Sequence, residues 1–167
     1  IAYARRPWGR FRGERSAAAG LMMGSTAIRG ALGGAGLAPD RVDMVTMGCV
    51  LGAGIGQNPA RQAAWGAGLP QGTATATVNK VCGSGMMAVF MARDALLAGS
   101  TTVAVAGGME SMSHAPSLLP RACTGYRMGH ETVAGPLLRD WPGDAPGHGP
   151  ATGGLCQATA GREGVRS

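Results

Sequence analysis

Apolar positions along the chain fall into short blocks whose period switches between helix-like and strand-like. Leu21, Ile28 and Leu32 are spaced for one face of a helix. Ser16 ahead of them, with Gly36 and Pro39 behind, predicts a helix capped at Ser16 and running through Ala35. Its internal glycines weaken it, each by up to about 1 kcal/mol relative to alanine. Val42 to Met47 predicts a short strand. Asn58 as N-cap and Pro59 in the first turn then start a short helix that Gly68 and Pro70 end. Thr75 to Val81 is rich in Thr and Val, as a strand should be, and Met86 to Ala98 holds helix-compatible residues up to Gly99. Thr101 to Ala106 predicts a buried strand, and from Gly107 the pattern turns to loops. Strands alternating with helices predict an α/β domain, its largely parallel or mixed sheet covered by helices on both faces.

The chemistry concentrates at one junction. Between the predicted strand ending at Val81 and the predicted helix from Met86 stand Cys82, Gly83, Ser84 and Gly85. The glycines permit a tight turn and close approach of another backbone or a ligand, and a thiol at a helix start faces the positive end of the dipole, which favours a thiolate. Two readings of Cys82 stand side by side: a reactive nucleophile, or a cysteine acting as a small hydrophobe.

Composition narrows the partners. The net charge is +6, from fourteen arginines and one lysine against nine acidic residues. Arg5, Arg6, Arg10, Arg12 and Arg15 cluster near one end, but no aromatics interleave for base stacking and no nucleic-acid-binding motif accompanies them. A solvated or interface-facing charge run is expected, with an anionic ligand the lesser alternative and nucleic acid the last. Cys49, Cys82, Cys123 and Cys156 are widely separated and form no C-x-x-C pair, so neither a metal site nor a disulfide framework is expected. No apolar run is long enough to span a bilayer. Glycines at 52, 54 and 56 match neither a P-loop nor a dinucleotide fingerprint, and a structural role is expected of that loop.

The motifs then point to a family. NKVCGSG with its following apolar helix, and VAVAGGMESMSHAPSLLP from Val103 to Pro120, resemble the N-terminal half of a thiolase. VDMVTMGCVLGAGIGQNPARQAAWGAGLP, Val42 to Pro70, is similar to the same family, as is RRPWGRF near the start. Several motifs in the right order make a far stronger signal than one short pattern. GGMESMSHAP distinguishes this resemblance from the related ketoacyl synthases.

The resemblance implies acyl transfer through a cysteine thioester, with Cys82 as catalytic nucleophile and acyl-CoA and CoA as substrates; no cofactor and no metal are implied. It implies a thiolase-like N-terminal α/β domain that is incomplete: four strands of a five-stranded mixed sheet, the first reduced to Ile1 to Ala4, and three helices. Residues 1–110 would form this partial core and 111–167 the truncated start of a loop domain. The half of a thiolase that carries a Gly-His-Pro histidine, an Asn-Glu pair and a second cysteine has no counterpart here, so this length alone is expected to be inactive. Met128 is carried over as an apolar contact to the pantetheine arm. His148 is carried over as the substrate-binding histidine of a His-Met-Gly motif, with Gly149 and Pro150 standing where Met-Gly would. The Gly- and Pro-rich stretch from Asp144 to Gly154 is an insertion, an error or a drifted loop, expected to be poorly ordered. His114 is expected in a surface or interface loop. Expected partners are acyl-CoA and CoA, and a second copy of the chain in a dimer or tetramer, with no nucleic acid and no membrane. The expected compartment is the cytoplasm or an organellar matrix. A non-catalytic thiolase-like protein binding acyl-CoA or lipid, or an inactive truncated product, is the alternative function.

Overall fold

Met44–Gly48 (β1), Ala74–Val78 (β2) and Ala104–Gly108 (β3) form a three-stranded parallel sheet in the order β2-β1-β3. The computed structural model describes residues 1–10, 12–14, 16–126, 128, 130, 132–135 and 137. Two compact units divide the chain, Ile1–His114 and Ala115–Ser167, and the sheet lies in the first. Its three helices are Gly20–Ala35 (α1), Pro59–Gly66 (α2) and Ser84–Leu97 (α3).

Connectivity explains the layering. From β1 the chain crosses through α2 to one neighbour, and from β2 it crosses back over β1 through α3 to the other. Parallel crossovers are right-handed, so two crossovers in opposite directions put their helices on opposite faces. The alternation of β1 agrees. Val45 and Met47 enter a core with Ile28 and Leu32 of α1 and Ala60, Ala63 and Ala64 of α2. Gly48, one residue out of phase, meets the start of α3 instead.

The helix ends follow local chemistry in two places. Asn58 adopts a left-handed φ of 40° and its side-chain oxygen accepts from the Arg61 N–H, while Pro59 occupies the first turn of α2. Gly36 closes α1 at φ 62°, with the Leu37 N–H reaching the Leu32 carbonyl. The start of α1 departs from expectation. It begins at Gly20 without a side-chain cap, and Ser16 instead donates its N–H to Gly13 in a separate turn. The cause is tertiary: Ser111 donates its hydroxyl to the Ala18 carbonyl at 3.2 Å, fixing the segment before the helix. The glycines of α1 also acquire a reason. A Cβ at Gly24 would lie 2.5 Å from Met109 Sδ and 3.2 Å from the Ala63 Cβ, so its absence lets α1 press against β3's exit and α2.

Strand boundaries shift too. Ile1–Ala4 forms no strand, so the described sheet has three strands rather than four, and its pairings are all parallel, within the expected parallel or mixed sheet. β2 ends at Val78, three residues early, because Asn79 to Gly83 form a hydrogen-bonded turn. β3 runs to Gly108, beyond the predicted Ala106, because its register with β1 continues to the Gly48 and Gly108 pair.

The second unit is described only in its first part. There Leu118 and Ala134 exchange backbone hydrogen bonds of 2.8 and 2.9 Å in an antiparallel bridge, around a turn in which Thr124 donates to Arg121.

Asp43 staples the entry of β1 to that of β3: its carboxylate accepts from the N–H groups of Thr102 at 2.8 Å and Val103 at 2.9 Å. The Val103 and then the Thr102 N–H bonds lower its pKa from 3.8 to about 2. A depressed carboxylate contributes stability that is present above the ordinary pKa and lost as pH falls through the folded one. Unfolding midpoints followed by circular dichroism should therefore fall between pH 4 and about 2, and Asp43→Asn should flatten that part of the profile. A profile unchanged by Asp43→Asn would remove Asp43 as a source of the acid sensitivity.

Candidate functional site

Cys82 stands between the end of β2 and the first residue of α3, exposed at the C-terminal end of the sheet. The turn that carries it is fixed on both sides. Asn79 accepts the Val81 N–H on Oδ1 at 3.0 Å, and the Gly83 N–H donates to the Lys80 carbonyl at 3.0 Å. Ser84 closes the loop: its hydroxyl accepts the Lys80 N–H at 2.9 Å and donates to the Val81 carbonyl at 2.6 Å. Ser84 is itself buried, 4% exposed, although its partners Lys80 and Val81 lie at the surface.

Val81, the residue before the thiol, has φ 50°. A β-branched side chain in the left-handed region is an outlier that costs on the order of 1–3 kcal/mol and persists only where its surroundings impose it. The Asn79 and Ser84 hydrogen bonds are that imposition.

The helix start is seated on glycine. A Cβ built on Gly48 would lie 2.5 Å from both the Gly85 nitrogen and the Ser84 carbonyl carbon, and one on Gly108 would lie 3.4 Å from the Gly85 Cα. Only glycine at 48 admits the first turn of α3 to the ends of β1 and β3. Behind it, α3 buries the small side chains Ala88 and Ala92. At the helix start the N–H groups of Gly85 and Met86 precede the first helical bond, Met87 N–H to Gly83, and their partial positive charge favours anions nearby. The arrangement leaves the Cys82 sulfur in reach of a substrate and offers N–H donors to a developing oxyanion.

Cys49 presents the opposite environment. It is 7% exposed, just past β1, and its thiol lies 3.7 Å from Glu110 Oε1. Burial, then the Glu110 charge and hydrogen bond, push its pKa up to about 12. Glu110 itself accepts the Val50 N–H at 2.8 Å and the Leu51 N–H at 3.2 Å. Nearby, Ser111 Oγ lies 3.0 Å from His114 Nδ1 on an exposed 3₁₀ turn. Cys49, Glu110, Ser111 and His114 line a cleft of about 270 Å³, which Cys82 does not line.

The remaining candidates lie elsewhere. Met128 and Cys123 belong to the second unit, both exposed. His148, Cys156 and the stretch from Asp144 to Gly154 lie outside the described residues. In the glycine-rich loop Gly54 and Gly56 take φ values of 74° and 90°, and Gln62 Nε2 donates to the carbonyls of Ile55 and Gln57. The basic N-terminal segment sets Arg5 over the Trp8 ring at 4.5 Å. Among the described residues no three His, Cys, Asp or Glu side chains group to hold a metal ion, and no helix is long and apolar enough to cross a membrane. Sequence reasoning missed Ser84 and Asn79 as supports of the turn, treating Ser84 as a turn residue alone. Asn two positions before a turn's N–H, and Ser at the first position of a helix, are the local signals that could have found them.

A helix N-terminus seated on the ends of two parallel strands, with a cysteine on the turn leading into it, defines an α/β protein that displays a thiol at a strand-to-helix junction. Residues 1–146 match the family described as thiolase, N-terminal domain, and the chain belongs to the thiolase family. It is 44% identical over 140 residues to the cytosolic acetyl-CoA acetyltransferase ERG10 of Gibberella zeae, covering 84% of this chain and 35% of that protein. It is 45% identical over 140 residues to acetyl-CoA acetyltransferase 1 of Arabidopsis thaliana, covering 84% of this chain and 34% of the relative. The crystal structure of Acat5 thiolase from Ascaris suum in complex with coenzyme A superposes with a TM-score of 0.90 at 29% identity, over 98% of this chain and 42% of that one. The chain thus spans about a third of the length of these curated relatives.

The two contrasting cysteines give a direct test. Cys82, exposed at a helix start, should alkylate with limiting iodoacetamide near neutral pH faster than Cys49 and faster than the loop cysteine Cys123. Cys49, buried and with its thiol pKa raised by that burial, should stay unlabelled under the same conditions. Mass spectrometry of the labelled peptides reads both, and equal labelling of the thiols would contradict the contrast in environment.

Proposed function

We propose that the protein is an acyl-CoA C-acetyltransferase of thiolase type, with Cys82 as its nucleophile. The observation that carries this is the position of Cys82: an exposed thiol held on an imposed turn directly ahead of α3, in a chain of the thiolase family. The Cys82 thiolate attacks the thioester carbonyl of an acyl-CoA, the C–S bond to CoA breaks, and CoA leaves as the thiolate, leaving an acyl-cysteine. In synthesis the α-carbanion of a second acetyl-CoA attacks that acyl group and frees Cys82. In degradation the same steps run in reverse. N–H donors at the start of α3 face the developing oxyanion, so one local structure serves both nucleophile and intermediate.

Carbon–carbon bond formation or cleavage also needs an acid or base placed near the substrate α-carbon, and among the described residues no hydrogen bond or ion pair ties the Cys82 sulfur to one. Residues 1–167 alone are therefore expected to acylate slowly at Cys82 without turnover. Met128 and His148 are proposed as contacts to the pantetheine arm and the acyl substrate. Acyl-CoA and CoA are the proposed partners together with further copies of the chain, in the cytoplasm or an organellar matrix.

A thiolase-length protein carrying this chain should cleave acetoacetyl-CoA in the presence of CoA, followed as loss of the substrate's absorbance, residues 1–167 alone should not, and Cys82→Ala in the longer protein should lower kcat by at least about a thousandfold. Turnover retained by Cys82→Ala would sink the assignment of the nucleophile. Absence of turnover with acetoacetyl-CoA, coupled with tight binding of acyl-CoA, would favour the non-catalytic alternative.

A further inference from the structure

We infer that Ser84 is a positioning residue for Cys82: its buried hydroxyl, bonded at once to the Lys80 N–H and the Val81 carbonyl, imposes the left-handed conformation of Val81 that delivers the thiol to the surface. The inference rests on Cys82 being the nucleophile of the proposed acyl transfer.

The turn has two competing demands. Val81 is β-branched and favours extended backbone, which would continue β2 in a straight line past Val78. The glycine seat draws α3 in the other direction, since the Ser84 and Gly85 backbone is held against Gly48. Between these fixed ends the chain must reverse in about five residues, and Val81 takes the positive φ. Asn79 holds one side of Val81 by accepting its N–H at 3.0 Å. The carbonyl on the other side is held by Ser84, through the hydroxyl at 2.6 Å and the Ser84 N–H at 3.1 Å. Rotation of the Val81–Cys82 peptide would break these bonds. The Cys82 backbone is thereby fixed without any contact to its sulfur, which is left to the substrate.

Ser84 is thus part of the apparatus without touching the reacting atoms. Removing its hydroxyl leaves the Lys80 N–H without its acceptor and lets Val81 relax toward extended backbone. Glycine at 81 accepts positive φ without assistance, so Val81→Gly should offset the loss of the hydroxyl.

The experiment compares Ser84→Ala, Val81→Gly, the double variant and Cys82→Ala in the thiolase-length protein carrying this chain, reading acetoacetyl-CoA cleavage and the separate iodoacetamide labelling rates of Cys82 and Cys49. Ser84→Ala is expected to lower kcat and the Cys82 labelling rate together by roughly tenfold to a hundredfold, with KM changed less than threefold and Cys49 still unlabelled at neutral pH. The double variant is expected to recover at least a third of the lost labelling rate. Wild-type labelling and kcat in Ser84→Ala would overturn the inference while leaving Cys82→Ala inactive and the functional reading intact. Cys49 labelling that rises in step with the loss at Cys82 would also overturn it, because Ser84 would then be holding the whole fold. A double variant no better than Ser84→Ala would do the same. Activity surviving in Cys82→Ala would instead reject the functional reading itself.

Discussion

Contact between the end of β1 and the start of α3 is the constraint from which the rest of this unit takes its shape. At Gly48 the strand and helix backbones approach so closely that even a methyl group would meet a peptide nitrogen at 2.5 Å. This contact sets the height of α3 above the sheet, limits its buried side chains to Ser84, Ala88 and Ala92, and forces the chain leaving β2 to turn within a few residues. The thiol sits at the apex of that forced turn. Exposure of Cys82 and packing at Gly48 are consequently two aspects of one geometry.

Carboxylates secure the strand pair that underlies this seat. Asp43 binds the N–H groups that open β3, before the parallel ladder begins, and Glu110 binds the N–H groups of Val50 and Leu51 where β1 leaves it. Each thus satisfies backbone donors that the ladder itself cannot reach at its ends. The two differ in setting, since Asp43 lies in solvent whereas Glu110 shares its site with the buried Cys49 thiol. Burial first, and then that neighbouring charge, raise the pKa of the Cys49 thiol, so the unit holds one cysteine buried and protonated and another exposed.

What the sequence disclosed depended on how far the responsible partner lay along the chain. Asn58 and Pro59 announced α2, and Gly36 announced the end of α1, because caps act over three or four residues. The strand-to-helix junction and the cysteine on it were legible for the same reason. The start of α1 was not, since Ser111, 93 residues from Ala18, fixes it. β2 was read too long because Thr and Val continue to Val81, and nothing in that composition reveals a buried serine hydroxyl bending the chain. Glu110 carried no local signal at all: it is an acidic residue after a strand, and its partners are about 60 positions away. Of the site, the thiol was legible and its scaffolding was not. The family resemblance pointed to Met128 and His148, but the first lies in the other unit and the second beyond the described residues.

Helix α3 inverts the usual relation between hydrophobicity and structural weight. Its large apolar side chains Met86, Val89, Phe90 and Leu97 are half or more exposed, while its alanines are the residues that touch the sheet. Within this unit, then, size is excluded on the side of the helix start that meets Gly48. Intolerance to substitution at position 48 accordingly measures an interatomic distance and not a role in chemistry.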